Sequence, residues 1–169
     1  MVEVFHHVVP TNYFLTLDCP FVFLIQFYQH LLDALQECRQ GFYTEFLRAS
    51  SYEGTQSTGK VKIGGGIDLE SLKGKHVILV EDIVDTGTTL SHLIPVLREK
   101  ANPASVEVCS LLTKRISKPQ KCTAKYIGFS IPDHFIVGYG LDFNELYRDV
   151  NDIWVISQKG IEFDSSGLK

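Results

Sequence analysis

The amino-terminal part of the chain lacks lysine and arginine, neither of which occurs from Met1 to Cys38. A secretory signal peptide needs a basic region before its apolar stretch, and a transmembrane helix needs about 20 consecutive, mostly apolar residues. Polar and acidic residues such as Asp18, Gln26 and Asp33 interrupt the apolar residues here. We therefore predict neither a signal peptide nor a membrane span.

Cysteine is also scarce, with four residues in a chain of 169. Cys19, Cys38, Cys109 and Cys122 show no C-x-x-C spacing and no histidine at a zinc-binding distance along the chain. This pattern favours reduced thiols over a disulfide framework or a zinc site. We therefore expect a cytoplasmic protein.

The chain has no excess of positive charge; its formal net charge is −4. That balance argues against a nucleic-acid surface, so an anionic substrate would have to be held by local groups. The sequence shows no internal repeat and no interdomain linker. Its length is enough to bury the core of one domain.

The strongest pattern in the sequence is an apolar run that ends in acidic residues. Val77 to Val80 has no polar alternation, which is typical of a central parallel strand covered by helices on both faces. Glu81 and Asp82 follow it directly, and the turn Asp85 to Thr89 comes next. After the turn, helical spacing is kept by Leu90, Leu93, Ile94 and Leu97.

A strand, a Gly/Thr turn and a helix start together favour a phosphate site. The first N–H groups of a helix are unsatisfied and lie at the positive end of its dipole. Neither G-x-x-x-x-G-K-[ST] nor G-x-G-x-x-G is present, which excludes those two nucleotide signatures. The carboxylates of Glu81 and Asp82 can accept from paired hydroxyls or hold a divalent cation. Together these groups describe a ribose 5-phosphate site; the alternative is that the acids only solvate a loop and the Gly/Thr residues only cap a helix.

The remaining patterns predict alternating strands and helices. An amphipathic helix is predicted from about Phe21 to Cys38, and a mobile loop or linker from Ser50 to Lys60. Pro95 predicts a kink or an early end in the helix after the Gly/Thr turn, and Asn102-Pro103 predicts its final residue. Strands are predicted at Phe42–Arg48, Lys60–Ile63, Val106–Leu112, Tyr126–Phe129, Phe135–Gly140 and Ile153–Ile156, and a helical turn at Asp68–Lys75.

These elements predict an α/β fold with a mainly parallel sheet flanked by helices and incomplete at its N-terminal edge. We divide the chain into an atypical N-terminal segment, 1–40, with one amphipathic helix, a core, 41–160, and a polar tail, 161–169.

The acidic stretch resembles the phosphoribosyl-diphosphate signature of the type I phosphoribosyltransferases. That signature is four apolar residues, two acids, two apolar residues, Asp, Thr or Ser, Gly, any residue and Thr, and Val77 to Thr89 meets every specified position. From about Gly41 to Gly160 the chain is similar to the hypoxanthine-guanine (6-oxopurine) phosphoribosyltransferases. Ser51-Tyr52 with Ser57-Thr58-Gly59 resembles their flexible lid, Ser110–Arg115 their purine-binding strand end and Val137–Asp149 their terminal motif.

The resemblance implies purine salvage, in which the 5-phosphoribosyl group of phosphoribosyl diphosphate is transferred to hypoxanthine or guanine to give IMP or GMP and pyrophosphate. It implies that Asp85 is the general base at the purine N7 and that Lys114 contacts the purine O6. Phe135 would stack on the base, Ile136 would offer it backbone groups, and Arg148 would face pyrophosphate.

The implied substrate-binding set is Glu81, Asp82, Ile83, Val84, Asp85, Thr86, Gly87, Thr88, Thr89, Lys114, His134, Phe135, Ile136, Asp142 and Arg148, with Ser51 and Tyr52 in the lid. The implied cofactor is Mg²⁺, held by Asp142, Glu81 and Asp82. By the same resemblance we expect a homo-oligomer, dimer or tetramer, with no nucleic-acid or membrane partner.

The chain departs from this family near its start. A Leu-Lys-Gly-Gly-like loop normally receives pyrophosphate, whereas the corresponding Leu17 to Phe21 reads Leu-Asp-Cys-Pro-Phe. We expect the leading strands of the family to be lost or replaced, and Thr88 occupies a position that is often Lys. The alternative function is therefore a non-catalytic nucleotide-binding relative or a truncated variant with impaired turnover; pyrimidine transfer is disfavoured by the purine-side motifs.

Overall fold

The computed structural model describes residues 13–17, 23, 25–27, 29–30, 33, 42–51, 61–64 and 67–167. The strands are β1 (Tyr13–Thr16), β2 (Tyr43–Phe46), β3 (Arg48–Ser51), β4 (Val61–Gly64), β5 (His76–Val84), β6 (Ser105–Arg115), β7 (Tyr126–Pro132), β8 (Ile136–Val137) and β9 (Trp154–Val155). Helices α1 (Thr88–Ala101) and α2 (Gln158–Gly167) and a 3₁₀ helix, Leu69–Leu72, accompany them.

The centre of the fold is a parallel sheet of five strands in the order β2-β1-β5-β6-β7. β5 is the middle strand, and Val77 to Val80 are all buried. β5 continues past the apolar run because β6 pairs with it as far as Val84. The predicted central strand and the predicted α/β fold are therefore confirmed.

Successive side chains of a strand point to opposite sides of the sheet, so the sheet has two faces. Both faces are covered by packed side chains. On one face, Leu79 packs in the same core cluster as Leu93 and Leu97 of α1. On the other face, Phe14 packs with Phe27, with ring centroids 6.4 Å apart. Each such fully buried side chain contributes about 1.5–3 kcal/mol to folding.

Phe27 belongs to a helical segment that the sequence analysis expected between Phe21 and Cys38. Its described residues, 23, 25–27, 29–30 and 33, are all helical. Phe23 and Phe27 are buried at i, i+4 spacing, whereas Gln26 and Asp33 are exposed. The amphipathic character is confirmed for these residues, and the predicted ends of the helix lie outside the described part.

β1 is a strand of the sheet in the region where the family's leading strands were expected to be lost or replaced. Tyr13–Thr16 pairs in parallel with both β2 and β5, inside the sheet. Phe14 and Leu15 are 1% and 0% exposed, so both faces of this strand are buried. After the strand, the N–H of Leu17 donates to the Val80 carbonyl at 3.1 Å. The chain therefore leaves β1 at the same edge as the acidic end of β5.

Helix α1 does not end at Pro95, so the predicted early end is wrong. The helix runs from Thr88 to Ala101 with Pro95 inside it. Pro95 is exposed, while Leu93 and Leu97 on either side of it are buried against the sheet. Packing of this stripe therefore outweighs the missing backbone hydrogen bond. The predicted end is confirmed, because Asn102 caps the helix with a φ of 45°.

The segment predicted as one strand from Phe42 to Arg48 forms two strands. β2 joins the main sheet, and β3 turns away from it to pair antiparallel with β4. Leu47, between them, is buried and donates its N–H to the Thr16 carbonyl. Residues 52–60, which contain most of the predicted loop, lie outside the described residues.

The C-terminal region contains a small hairpin and a helix. β8 and β9 pair antiparallel, within the two segments predicted as strands. The residues after Ser157 were predicted only as polar, yet they form α2. The Tyr147 hydroxyl donates to the Gly160 carbonyl at 2.8 Å and attaches the start of α2. No helix in the described ranges is both long and apolar enough to cross a membrane.

Candidate active site

Two adjoining clefts lie where β5 and β6 end and α1 begins. The loop cleft, of about 90 Å³, is lined by Glu81 and residues 83–90. The strand-end cleft, of about 260 Å³, is lined by Asp82, Ile83, Asp85, Lys114, Phe135, Ile136, Leu141 and Asp142. Ile83 and Asp85 belong to both, so a ligand that fills the two clefts passes Asp85.

The loop cleft has the features of an anion site. Gly87 is the N-cap of α1 with a φ of 71° and provides no side-chain cap. The Thr86 and Thr88 hydroxyls are 2.9 Å apart at the N-terminus of α1. The first-turn N–H groups and these hydroxyls can therefore bind a phosphate at the positive end of the helix dipole.

The strand-end cleft holds a lysine against two carboxylates. Lys114 Nζ lies 2.9 Å from Asp85 Oδ2 and 3.9 Å from Asp133 Oδ1. The Lys114 side chain is 9% exposed, whereas that of Asp85 is 49% exposed. Lys114 Nζ also lies 6.0 Å from the centre of the Phe135 ring. Its ammonium group is thus held between the Asp85 carboxylate and an aromatic ring.

Phe135 and Ile136 form the other wall of this cleft. Phe135 is 51% exposed, and its ring meets that of Phe143 edge to face at 5.3 Å. The Ile156 N–H donates to the Phe135 carbonyl, just beyond the pair Ile136 and Val155 of β8 and β9. Antiparallel pairs alternate, so the neighbouring Ile136 directs its N–H and carbonyl away from Val155. Ile136 can therefore offer both backbone groups to a ligand.

Asp82 has a perturbed pKa. Burial raises the pKa of its carboxyl to about 6. The Ile83 N–H, which donates to Asp82 Oδ1 at 2.7 Å, and the charge of Arg148 oppose that effect, while the charge of Asp142 adds to it. A carboxyl of this kind is ionised at neutral pH but is close to titration, as is common in binding sites.

Asp142 and Arg148 form an ion pair beside Asp82. Arg148 Nη2 lies 2.8 Å from Asp142 Oδ1, and Arg148 Nη1 donates to the Gly140 carbonyl at 2.9 Å. The second carboxylate oxygen of Asp142 accepts from the Glu145 N–H at 2.8 Å. The loop between them has positive φ at non-glycine residues, including 67° at Glu145, which is a strained conformation of a kind often found at functional sites.

Most of the predicted site residues are brought together in the two clefts. His134 is an exception, because its side chain is exposed and its backbone N–H donates to Pro132. Arg148 lines neither cleft but contacts Asp142, which does. Ser51 is the last residue of β3, and Tyr52 lies outside the described residues. The predicted lid therefore remains a prediction.

Gln120 was missed by the sequence analysis. Its side-chain amide donates to the carbonyls of Asp85, at 2.7 Å, and of Val84 and Lys114, both at 3.2 Å. It lies in an irregular segment between β6 and β7, where no periodicity marks it. Leu141 was also missed as a cleft residue, because its apolar side chain gives no chemical signal.

The fold and the site together define a type I phosphoribosyltransferase-like protein: a parallel sheet whose acidic strand end lies next to an anion-binding helix start. The chain belongs to the phosphoribosyl transferase domain family, whose model matches residues 18–144.

The relatives of this chain include hypoxanthine-guanine phosphoribosyltransferases. Those of dog and human are each 43% identical over 141 residues, which is 80% of this chain and 64% of the relative. The chain thus spans 64% of the length of these curated relatives.

Solved structures agree with these sequence relatives. A Trypanosoma cruzi hypoxanthine phosphoribosyltransferase superposes with a TM-score of 0.74 at 31% identity, covering 94% of this chain and 80% of that one. A Bacillus anthracis hypoxanthine-guanine phosphoribosyltransferase has a TM-score of 0.71 at 35% identity, covering 92% and 86%.

Proposed function

We propose that this chain transfers the 5-phosphoribosyl group of phosphoribosyl diphosphate to hypoxanthine or guanine, giving IMP or GMP and pyrophosphate. The observation that carries the proposal is that Asp85 lies between a loop cleft suited to a phosphate and a strand-end cleft suited to a planar base. A Trypanosoma cruzi relative, with a TM-score of 0.70 and 31% identity, is described as bound to its product IMP. A ligand of that shape would extend across both clefts here.

The base subsite fits a 6-oxopurine. An ammonium group donates hydrogen bonds and accepts none, so Lys114 would pair with a carbonyl oxygen and oppose the amino group of adenine. Lys114 is now paired with Asp85 at 2.9 Å. If the purine O6 took over Lys114, the Asp85 carboxylate would be released to accept the proton of N7 as a general base.

The ribose subsite fits a transition state that carries positive charge. Breaking the bond to pyrophosphate before the purine nitrogen attacks leaves an oxocarbenium-like sugar, which carboxylates stabilise. Glu81 and Asp82 stand at the strand end between the two clefts and can accept from the ribose hydroxyls. Arg148 is the basic group next to them and would face the leaving pyrophosphate.

Mg²⁺ fits the residues present if the substrate supplies most of the ligands. Among the described residues, no three His, Cys, Asp or Glu side chains are grouped so as to hold a metal. Mg²⁺ commonly binds to one or two carboxylates plus substrate phosphates and waters. Asp142, Glu81 and Asp82 would be its protein partners, one or two of them directly and the rest through water, and the ion would neutralise charge on the diphosphate.

A second candidate is nucleotide binding with impaired turnover. It is favoured by Leu17 to Phe21, which lack the Lys and Gly residues of the family's pyrophosphate loop.

By family resemblance we also infer a cytoplasmic homo-oligomer, dimer or tetramer. Large exposed apolar side chains on β7 and β9, such as Phe129 and Trp154, support association of chains.

The test is a turnover assay with phosphoribosyl diphosphate and each of hypoxanthine, guanine and adenine, with Mg²⁺ or with a chelator. We expect product from the two 6-oxopurines, much less from adenine and none without Mg²⁺. Efficient use of adenine would contradict the proposed role of Lys114. Equal turnover with and without chelator would contradict the proposed role of Mg²⁺. IMP binding without turnover would establish the second candidate.

A further inference from the structure

Gln120 makes an unusual set of contacts for a residue in a loop. Its Nε2 donates to the carbonyls of Asp85, Val84 and Lys114 at 2.7, 3.2 and 3.2 Å. All three neighbours are acceptors, so only the NH₂ end of the amide fits there. An NH₂ group has two hydrogens, and one of them is therefore shared between two carbonyls.

These contacts lie where β5 and β6 stop pairing with each other, although β6 still pairs with β7 as far as Arg115. The ladder between β5 and β6 ends at the pair Val84 and Thr113. Asp85 and Lys114 each come one residue later, and their side chains form the ion pair of the strand-end cleft. The Gln120 amide thus connects the two backbones just beyond the last ladder pair.

The two residues after Gln120 contact the loop that lines the loop cleft through their backbones. The Lys121 N–H donates to the Thr86 carbonyl at 2.9 Å. The backbone of Cys122 lies against Gly87 so closely that a Cβ at Gly87 would come within 2.3 Å of the Cys122 carbonyl oxygen. Three consecutive residues therefore contact the consecutive residues Asp85, Thr86 and Gly87.

We propose that Gln120 is a positioning residue that fixes Asp85 and Lys114 relative to each other and to the phosphate-binding loop. It touches no substrate subsite itself and acts through the two backbones that carry the base and the purine-contacting lysine. Without it, the carbonyls of Asp85 and Lys114 would lose their common donor, and segment 120–122 would be held to the loop by fewer bonds. The kinetic part of the test rests on the proposed transferase function, whereas the exchange part does not.

The variants are Gln120→Met, which keeps the length of the side chain and removes the donor, and Gln120→Glu, which places an acceptor against three carbonyls. The matched control is Gln158→Met on the exposed helix α2, where the amide donates to Glu162. Residue-resolved amide exchange is measured first. We expect roughly tenfold faster exchange at Lys121 in Gln120→Met, the scale of one lost hydrogen bond, and no change at Leu79 in the sheet centre.

Steady-state kinetics form the second readout. We expect the KM for phosphoribosyl diphosphate and for hypoxanthine to rise roughly tenfold in Gln120→Met, and further in Gln120→Glu, with both values unchanged in Gln158→Met. A merely structural role would lower the folded fraction, and hence kcat, at constant KM, and that result would overturn the proposal. Unchanged exchange at Lys121, or an equal increase at Leu79, would also overturn it. If the wild-type chain has no turnover, the proposed function fails while the exchange result still decides the role of Gln120.

Discussion

At the residue scale, the charged side chains of the site differ in how deeply they are buried. Lys114 is almost fully covered, its partner Asp85 is half exposed, and Asp82 is buried enough for its pKa to rise to about 6. A covered ammonium group keeps its position, and an accessible carboxylate can exchange partners. This difference supports the proposed roles, in which Asp85 accepts a proton and Lys114 selects a carbonyl.

Replacing Asp85 by Asn tests the proposed general base. The amide keeps the size of the side chain and cannot accept the N7 proton, so we expect kcat to fall roughly 10²-fold or more while IMP binding is largely retained. The matched control is Asp33→Asn, at an exposed helical position. Steady-state kinetics with hypoxanthine and calorimetry with IMP give the two values. Wild-type turnover in the variant would show that another group takes the proton.

Asp82 gives a pH-dependent prediction for stability. Its folded pKa of about 6 lies above the ordinary value of 3.8. Below about pH 4 the carboxyl is neutral in both states; between about pH 4 and 6 the folded state retains the proton that the unfolded state loses. The free energy of unfolding therefore falls as pH rises through this window. Above it, the buried charge costs up to about 3 kcal/mol.

We therefore expect Asp82→Asn to raise the free energy of unfolding by on the order of 1–3 kcal/mol at pH 8 and to change it little at pH 4. The Asn carbonyl can still accept from the Ile83 N–H. Urea unfolding at the two pH values measures the difference, with Asp33→Asn as the exposed control. An equal effect at both pH values would contradict the assignment of the raised pKa to Asp82.

At the element scale, the turn from β5 to α1 depends on one glycine. Gly87 combines a φ of 71° with direct contact to the Cys122 backbone. Gly74 has a similar φ of 69°, yet no heavy atom would lie within 4 Å of a Cβ there. Alanine variants at the two positions therefore separate the effect of a positive φ from the effect of steric contact.

We expect Gly74→Ala to cost about 1 kcal/mol through its positive φ alone. Gly87→Ala should cost more and should also weaken phosphate binding at least tenfold, because the added methyl group must displace segment 120–122 from the loop. Chemical denaturation and titration with ribose 5-phosphate measure the two effects. Equal destabilisation in both variants, with equal ligand affinity, would show that the contact with Cys122 has no role.

Sequence patterns identified the elements that depend on local periodicity or on a contiguous motif. β5, the loop cleft and the start of α1 occupy Val77 to Leu90 without a break, so most of that part of the site could be predicted. β1 was missed because both of its faces are buried, as Phe14 and Leu15 show, so that it has no alternation of polar and apolar residues. The early end of α1 at Pro95 was wrong because tertiary packing outweighs the missing hydrogen bond, whereas the end at Asn102 was predicted. Gln120 could not be predicted, since its role exists only where two distant strand ends meet.

At the scale of the whole molecule, the parallel sheet brings the carboxyl ends of its strands to one edge. β1 leads into Leu17 at this edge, where the N–H of Leu17 bonds to Val80 just before the acids Glu81 and Asp82. Leu17 therefore lies next to the acidic end of β5. Because β1 is present, restoring a pyrophosphate loop does not require an added strand.

We predict that the triple variant Asp18→Lys, Cys19→Gly, Pro20→Gly raises turnover. One preorganised donor to a developing charge commonly changes a rate by roughly 10²-fold, and the new lysine and backbone N–H groups would supply such donors to the leaving pyrophosphate. IMP affinity should change little, because IMP contains no pyrophosphate. Full family-level activity in the unaltered chain, with no gain in the variant, would mean that another segment supplies those groups.

The most direct test of the central claim is calorimetric titration of this chain with IMP and, separately, with AMP. The residues proposed to bind the 5-phosphate, the ribose and the purine all line the two clefts, so we predict saturable IMP binding at a single site per chain and much weaker AMP binding. In Lys114→Met the preference for IMP should disappear. Absence of IMP binding at millimolar concentration, or equal affinity for IMP and AMP in the wild-type chain, would contradict the assignment of these clefts to a 6-oxopurine nucleotide.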